Sequence, residues 1–174
     1  MDSSQAIRPP APPRGWKALP WRMPVWLYRL GLGACLGRRF LLLEHLGRKT
    51  GRRRQNVLEV LHYDPEGRVF YVASGFGRRA HWFRNIQVHP QVTVQVGRTR
   101  YRALARVLDV AQGARMLMEY AHAHPVAFRV LARLLGIPVP RTPEDFRRLA
   151  EAIPVVVFEV HTSATATREH RDAG

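Results

Sequence analysis

The chain has 174 residues, of which 46% are hydrophobic and 24% charged, which fits one globular domain with a buried core. Its 28 basic and 13 acidic residues leave a net charge of +15, which favours phosphorylated cofactors, nucleic acid or acidic membranes as partners. The single cysteine, Cys35, excludes an intramolecular disulfide and fits the reducing cytoplasm, and no apolar run approaches the roughly 20 residues of a membrane span.

The N-terminal segment divides into a proline-rich part and a predicted helix. Residues 1–20 lack the apolar core of a signal peptide and are expected to be a disordered lead-in. Residues 22–37 place Met23, Trp26 and Leu30 at helical spacing, opposite a basic side. This amphipathic helix is expected either to cover one end of the fold or to contact an anionic membrane surface.

Five strands and one short helix are predicted in the middle of the chain. Apolar and polar residues alternate in the last two strands, which indicates strands with one buried face, as in an antiparallel barrel or sandwich. Between the third and fourth strands, "AHWFRNIQVHP" places Trp82, Phe83 and Ile86 at helical spacing. The predicted strands are 39–46, 54–64, 68–74, 91–96 and 100–108, the last two joined as a hairpin.

The C-terminal third is predicted to be helical before a final strand. Three helices are expected at 110–124, 125–136 and 142–152, the last beginning at the N-cap Thr142. An apolar strand follows at 154–162, and residues 163–174 read as a flexible tail. The order predicts a small α+β barrel of mostly antiparallel strands, formed by one domain over 21–162.

Several familiar signatures are absent. "GLGACLG" has one residue too many for a dinucleotide fingerprint, and "GRKT" lacks the glycines of a P-loop. Ser74 in "ASGFG" is not a nucleophile elbow, and no cysteine or acid completes a metal site with His122 and His124. Hydrolase and metalloenzyme functions are therefore disfavoured, and no metal is expected.

Two basic segments predict an anion-binding site. The turn at 47–54 carries five positive charges in the seven positions from Arg48 to Arg54, although like charges repel one another. The second segment, "ASGFGRRAHWFRN" at 73–85, places glycines and two arginines before a helix, where backbone N–H groups can approach an anion. Guanidinium groups suit bidentate contact with phosphate oxygens.

The stretches "LLLEHLGRKTGRRRQNVLEV" and "FYVASGFGRRAHWFRNIQVHPQVTVQVG" resemble the deazaflavin-dependent nitroreductase family. The similarity extends from about Trp21 to Leu108. It implies a split β-barrel related to flavin-binding oxidoreductases, which binds the reduced deazaflavin coenzyme F-420. The tail of this coenzyme carries a phosphodiester and several glutamates, so the resemblance implies that the basic turn holds an anionic tail.

The resemblance also implies roles for individual residues. Some relatives have a lysine after the serine where this chain has Gly75, and we expect neighbouring arginines to supply that charge. The implied coenzyme-binding residues are Arg48, Lys49 and Arg54 at the phosphate, Ser74 near the ring, Trp82 and Asn85 on the short helix, and Arg78 and Arg79 as the substitute charge.

The implied chemistry is hydride transfer to a small organic acceptor, which is a quinone, an enone or a nitroaromatic. No catalytic residue is assigned. At one position where some relatives have a tyrosine, this chain has Glu59, which is either an acid in the pocket or a residue on the solvent-facing side of its strand; the latter is favoured.

Other functions remain as alternatives. The charge would suit a nucleic-acid-binding module, but no aromatic residues are interleaved with the basic loops. A carrier that binds F-420 or lipid without turnover is a second alternative. FMN in place of F-420 is a third, less favoured because one short phosphate gives less reason for so many arginines. A homodimer is expected only by analogy with the family.

Overall fold

The computed structural model describes Ile7, residues 39–66 and residues 68–164. The predicted lead-in apart from Ile7, the predicted helix at 22–37 and most of the tail lie outside the described residues. The strands are β1 Phe40–Leu46, β2 Arg53–Asp64, β3 Val69–Ala73, β4 Gln91–Val96, β5 Thr99–Val107 and β6 Val155–Ala164. The helices are α1 His81–Ile86, α2 Val110–Ala123, α3 Pro125–Leu135 and α4 Pro143–Ala152, with a 3₁₀ turn at Gly77–Arg79.

The six strands form a closed antiparallel barrel in the order β1-β2-β3-β6-β5-β4. The last strand of the described chain therefore lies between β3 and β5. All neighbouring pairs are antiparallel, which confirms the predicted α+β barrel. Its strand limits agree with the sequence prediction to within one residue, except that β6 continues two residues further, to Ala164.

Alternation along each strand fills the barrel with aliphatic and aromatic side chains. Leu41 and Leu43 on β1 face the interior together with Val94 on β4 and Phe158 on β6, all fully buried. α1 contributes Phe83 to the same core. The short helix is thus held by burial of its apolar side chains rather than by its length, because six residues form few helical hydrogen bonds.

The three later helices pack as a layer against the outside of the barrel. Leu117 of α2, Phe128 of α3 and Phe146 of α4 form a second core with Val155 of β6. Thr142 caps α4 in a capping box with Asp145, as its position before Pro143 predicted. In the described part of the chain, no helix is long and apolar enough to cross a membrane.

Candidate functional site

The basic segment at 47–54 forms a tight turn between β1 and β2. The Gly47 N–H donates to the Arg52 carbonyl at 2.9 Å, and the Gly51 N–H donates to the Gly47 carbonyl at 2.8 Å. Gly51 has a φ of +62°, a left-handed conformation that favours glycine. The turn joins strands whose register runs to Leu46 opposite Arg53, so its side chains are presented at one end of the barrel.

Most charges of this turn face solvent without a counter-ion. Lys49 and Arg54 are exposed, as is Arg52, and none of the three has a carboxylate within 4 Å among the described residues. Arg53 reaches Glu44 at only 3.8 Å. A side chain at Gly47 would come within 3.0 Å of Arg54 Nε, so the missing Cβ makes room for the guanidinium. The turn is a cluster of cations available to an external anion.

Asn85 of α1 connects the two basic segments. Its side chain is 2% exposed, and its Oδ1 accepts from both the backbone N–H of Arg48, at 3.2 Å, and Arg48 Nη1, at 3.0 Å. The sequence predicted that both residues belong to one site, and the structure brings them into direct contact. Asn85 therefore binds the basic turn to the helix that fills the barrel end.

The same amide contacts a buried histidine that sequence reasoning missed. Asn85 Nδ2 lies 3.2 Å from His45 Nδ1, and His45 Nε2 lies 3.0 Å from Asn56 Oδ1. Burial lowers the pKa of His45, an effect that the positive charge of Arg54 reinforces, although hydrogen bonds oppose it. A signal was present in the sequence, because His45 follows Leu41 and Leu43 at the two-residue period of an inward-facing strand.

Ser74 fixes the loop after β3. Its side chain is fully buried, and its hydroxyl donates to the Gly77 carbonyl at 2.8 Å while the Gly77 N–H donates to the Ser74 carbonyl. Gly77 has a φ of +62°, which a residue with a Cβ rarely adopts. The contact of Ser74 with a coenzyme ring stays a prediction, and the structure gives this hydroxyl a partner within the protein.

Gly75, at the position where some relatives have a lysine, packs beside an apolar side chain. A Cβ at this position would meet the two terminal methyl groups of Leu135 at 3.3 and 3.4 Å. Leu135 of α3 therefore occupies the space beside Gly75. Arg78 and Arg79 follow within the exposed 3₁₀ turn before α1, where we expected them to supply the replacement charge.

Trp82 belongs to the barrel core. Its side chain is buried, and its ring packs edge-to-face on Phe83 with ring centroids 6.0 Å apart. Packing of Trp82 against a coenzyme stays a prediction. Because Trp82 and Asn85 are both buried on α1, the structure gives them a common role in holding this helix in the barrel.

Glu59 is neither isolated nor fully exposed. Its Oε1 accepts from Tyr120 Oη at 2.6 Å and from Arg39 Nη2 at 3.1 Å, and its side chain is 16% exposed. The favoured prediction of a solvent-facing residue is therefore wrong: α2 covers this side of β2 and brings Tyr120 onto the carboxylate. Burial and the neighbouring carboxylate raise the pKa of Tyr120, which keeps its hydroxyl protonated as a donor.

Replacing Tyr120 by phenylalanine is expected to lower the free energy of unfolding by about 1–2 kcal/mol, because a hydrogen bond to a charged group is lost in a partly buried site. Urea denaturation measures this change. Tyr71→Phe is the matched control, since the structure gives the hydroxyl of this partly buried tyrosine no hydrogen bond among the described residues. Equal stability of the two variants would contradict the assigned role of Tyr120.

A cavity of about 560 Å³ lies beside the basic turn and is lined by residues of β1, β2, β4, β5 and β6. Leu46, which precedes the turn, and Arg53, which lies within it, contribute to the wall of the cavity, and His45 of β1 also lines it. Arg102 and His161 add basic side chains from the other side. None of the residues predicted to bind the coenzyme lines this cavity, so the predicted site and the cavity are adjacent but distinct.

The fold is a closed six-stranded antiparallel barrel, and its β1–β2 turn presents exposed cations that have no carboxylate partner among the described residues. The chain belongs to the F420H(2)-dependent quinone reductase family, whose model matches residues 21–140. It is accordingly a reductase that uses reduced F-420 as its cofactor. This confirms the predicted enzyme class and confirms F-420, which was favoured over FMN, as the predicted cofactor.

Individual proteins resemble the chain in sequence or in fold. Rv3178 of Mycobacterium tuberculosis, assigned as an F420H(2)-dependent quinone reductase, is 33% identical over 90 residues, which are 51% of this chain and 74% of the relative. A solved structure assigned to 5-nitroimidazole antibiotic resistance in Bacteroides thetaiotaomicron matches the fold with a TM-score of 0.50 at 8% identity, covering 77% of this chain and 80% of that one. An F420-H2 dependent reductase, FDR-A, has a TM-score of 0.49 at 20% identity, covering 71% and 96% of the two chains.

Proposed function

We propose that the protein transfers a hydride from reduced F-420 to a quinone, and that the turn at 47–54 binds the anionic tail of the coenzyme. The observation that carries the proposal is the group of exposed cations in this turn, in a chain of the F420H(2)-dependent quinone reductase family. Lys49 and Arg54 have no carboxylate partner among the described residues, so a phosphodiester would be their first strong anionic contact.

Each residue that we propose for binding the anionic tail has a separate task. Arg48 is held through its backbone and guanidinium by Asn85, which leaves its remaining guanidinium N–H groups in a fixed position for an anion. Lys49 and Arg54 adapt to the ligand because their side chains are exposed. We assign Ser74 an indirect task, since its hydroxyl shapes the loop at Gly77.

When bound, reduced F-420 supplies a hydride to the acceptor. The task of this chain is then to orient the acceptor and to exclude water. Glu59 is a poor source of the accompanying proton, because its carboxylate already accepts from Tyr120 and Arg39. We therefore propose that the proton comes from solvent.

The experiment has two stages, binding and turnover. Fluorescence titration of the purified protein with oxidised F-420 is run beside FMN, and tight binding of F-420 alone is expected. Anaerobic oxidation of reduced F-420 is then followed with menadione, cyclohexenone or a nitrobenzoate as acceptor. Preferential turnover of menadione supports a quinone reductase.

The other outcomes contradict parts of the proposal. Turnover of the enone or the nitroaromatic alone would overturn the quinone as acceptor. Binding of F-420 without turnover of any acceptor would identify a carrier. The predicted homodimer is checked by light scattering on the same sample, and a monomer that is fully active would show that one chain completes the site.

A further inference from the structure

The hydrogen bonds of Arg48 determine which way the Asn85 amide points. Both the backbone N–H of Arg48 and its Nη1 donate to one atom of Asn85, which must be the acceptor Oδ1. The amide nitrogen Nδ2, which can only donate, is therefore directed at His45 Nδ1 at 3.2 Å. The orientation of this buried amide follows from the basic turn itself.

The amide in turn determines the protonation state of His45. Because Asn85 Nδ2 donates, His45 Nδ1 must accept and carries no proton. The proton of the neutral ring is then on Nε2, which donates to Asn56 Oδ1 at 3.0 Å. A continuous chain of hydrogen bonds thus leads from β2 through His45 and Asn85 to the basic turn.

The surroundings of the ring favour this neutral state. His45 is 3% exposed, and Arg54 is its direct partner across the β1–β2 pair. Arg48 lies beyond Asn85. Glu44, Arg53, Arg102 and His161 line the same cavity as His45, and β4 contributes only uncharged residues there, Gln91, Val92 and Thr93. Glu44 is the one acid in this set, and it is engaged by Arg100 and Arg53.

We infer that His45, as a neutral imidazole protonated on Nε2, is the positioning residue that holds the coenzyme-binding turn through Asn85. This inference rests on the proposed function of the turn. Protonation of His45 would direct an N–H at the N–H of Asn85, and the amide would have to turn away or flip. A flipped amide would present its NH₂ group to the two donors of Arg48, so the turn would lose its attachment to α1.

The test compares His45→Asn with His45→Leu in the full-length protein. The Oδ1 of asparagine lies about where Nδ1 of histidine does, so this variant keeps the acceptor for Asn85 but cannot titrate. Leucine removes the acceptor. At pH 7.5 we expect the asparagine variant to bind F-420 within about threefold of the unsubstituted protein, and the leucine variant to bind about five- to tenfold more weakly.

The pH profile separates positioning from a purely structural role. As pH falls from 7.5 to 5.5, the Kd of the unsubstituted protein is expected to rise relative to that of His45→Asn. The ratio of the two Kd values at each pH cancels any titration of the ligand. A constant ratio, or a leucine variant that loses stability in urea but binds F-420 normally, would overturn the inference.

Two results distinguish coenzyme binding by the turn from the positioning role of His45. If the Lys49→Ala, Arg54→Ala double variant binds F-420 as tightly as the unsubstituted protein, the proposed function of the turn is wrong. If the double variant binds F-420 weakly while the ratio of the Kd values of the unsubstituted protein and His45→Asn stays constant with pH, the turn binds the coenzyme. Only the role of His45 is then refuted.

Discussion

Replacing Lys49 and Arg54 together by alanine is expected to raise the Kd for F-420 by about 100-fold or more. Each lost hydrogen bond to a charged group is worth about 1.5–3 kcal/mol, and two such losses at separate side chains add approximately. Both side chains are exposed and without a carboxylate partner among the described residues, so their removal should leave the fold intact. Fluorescence titration with F-420 at low ionic strength measures the change.

The control must remove the same charge elsewhere. Arg115 on α2 and Arg129 on α3 are exposed and lie on the helical layer, so Arg115→Ala with Arg129→Ala lowers the net charge equally. We expect this pair to shift the affinity by no more than about threefold, because exposed charges far from a ligand are screened by salt. Similar losses in both double variants would mean that net charge, and not the turn, attracts the coenzyme.

Replacing Asn85 by leucine is expected to lower the free energy of unfolding by about 2–4 kcal/mol. The substitution leaves His45 Nδ1 without a donor and the backbone N–H of Arg48 without its acceptor, and each unsatisfied buried group costs about 1–3 kcal/mol. Urea denaturation measures the stability. We expect weaker F-420 binding as well, because Arg48 loses its attachment to α1.

Gln87→Leu is the matched control for this variant. It makes a comparable amide-to-leucine change at an exposed residue that follows α1 directly. Its stability is expected to stay within about 0.5 kcal/mol of the unsubstituted protein. If the two variants are equally stable, the Asn85 amide is not what joins the turn to the helix.

Protonation of His45 gives stability a pH dependence of known sign. Its pKa in the folded protein is lowered from the usual 6.5, so the unfolded chain binds the proton more readily. The contribution is fully present above pH 6.5 and is lost as pH falls toward the folded-state value. His45→Asn removes the titrating group, so its stability should depend less on pH in this window.

Local patterns were sufficient to predict the strands and helices, and the order of these elements then favoured a barrel. The alternation that places Val92 and Val94 of β4 inside the barrel and Gln91 and Thr93 outside is visible in the sequence, and it identifies the strand and its buried face. Helix signals were equally local, since Thr142 and Pro143 identify the start of α4 by themselves. These features depend on neighbours within a few residues.

Contacts between distant segments were not predictable in this way. Glu59 and Tyr120 are 61 residues apart, and only the docking of α2 on β2 brings the hydroxyl to the carboxylate. Leu135 fills the space beside Gly75 for the same reason. Within the site, the basic turn was evident from composition, whereas the amide and imidazole that hold it are identified only by their positions in space.

The position of β6 has a consequence for how the chain folds during synthesis. This strand completes the barrel by pairing with β3 on one side and β5 on the other, yet residues 155–164 follow all other strands in the described chain. Until they leave the ribosome, β3 and β5 each keep an unpaired edge that can pair with another chain. Closure of the barrel is therefore a late, long-range event, and a nascent chain halted before Val155 should depend on chaperones to avoid aggregation.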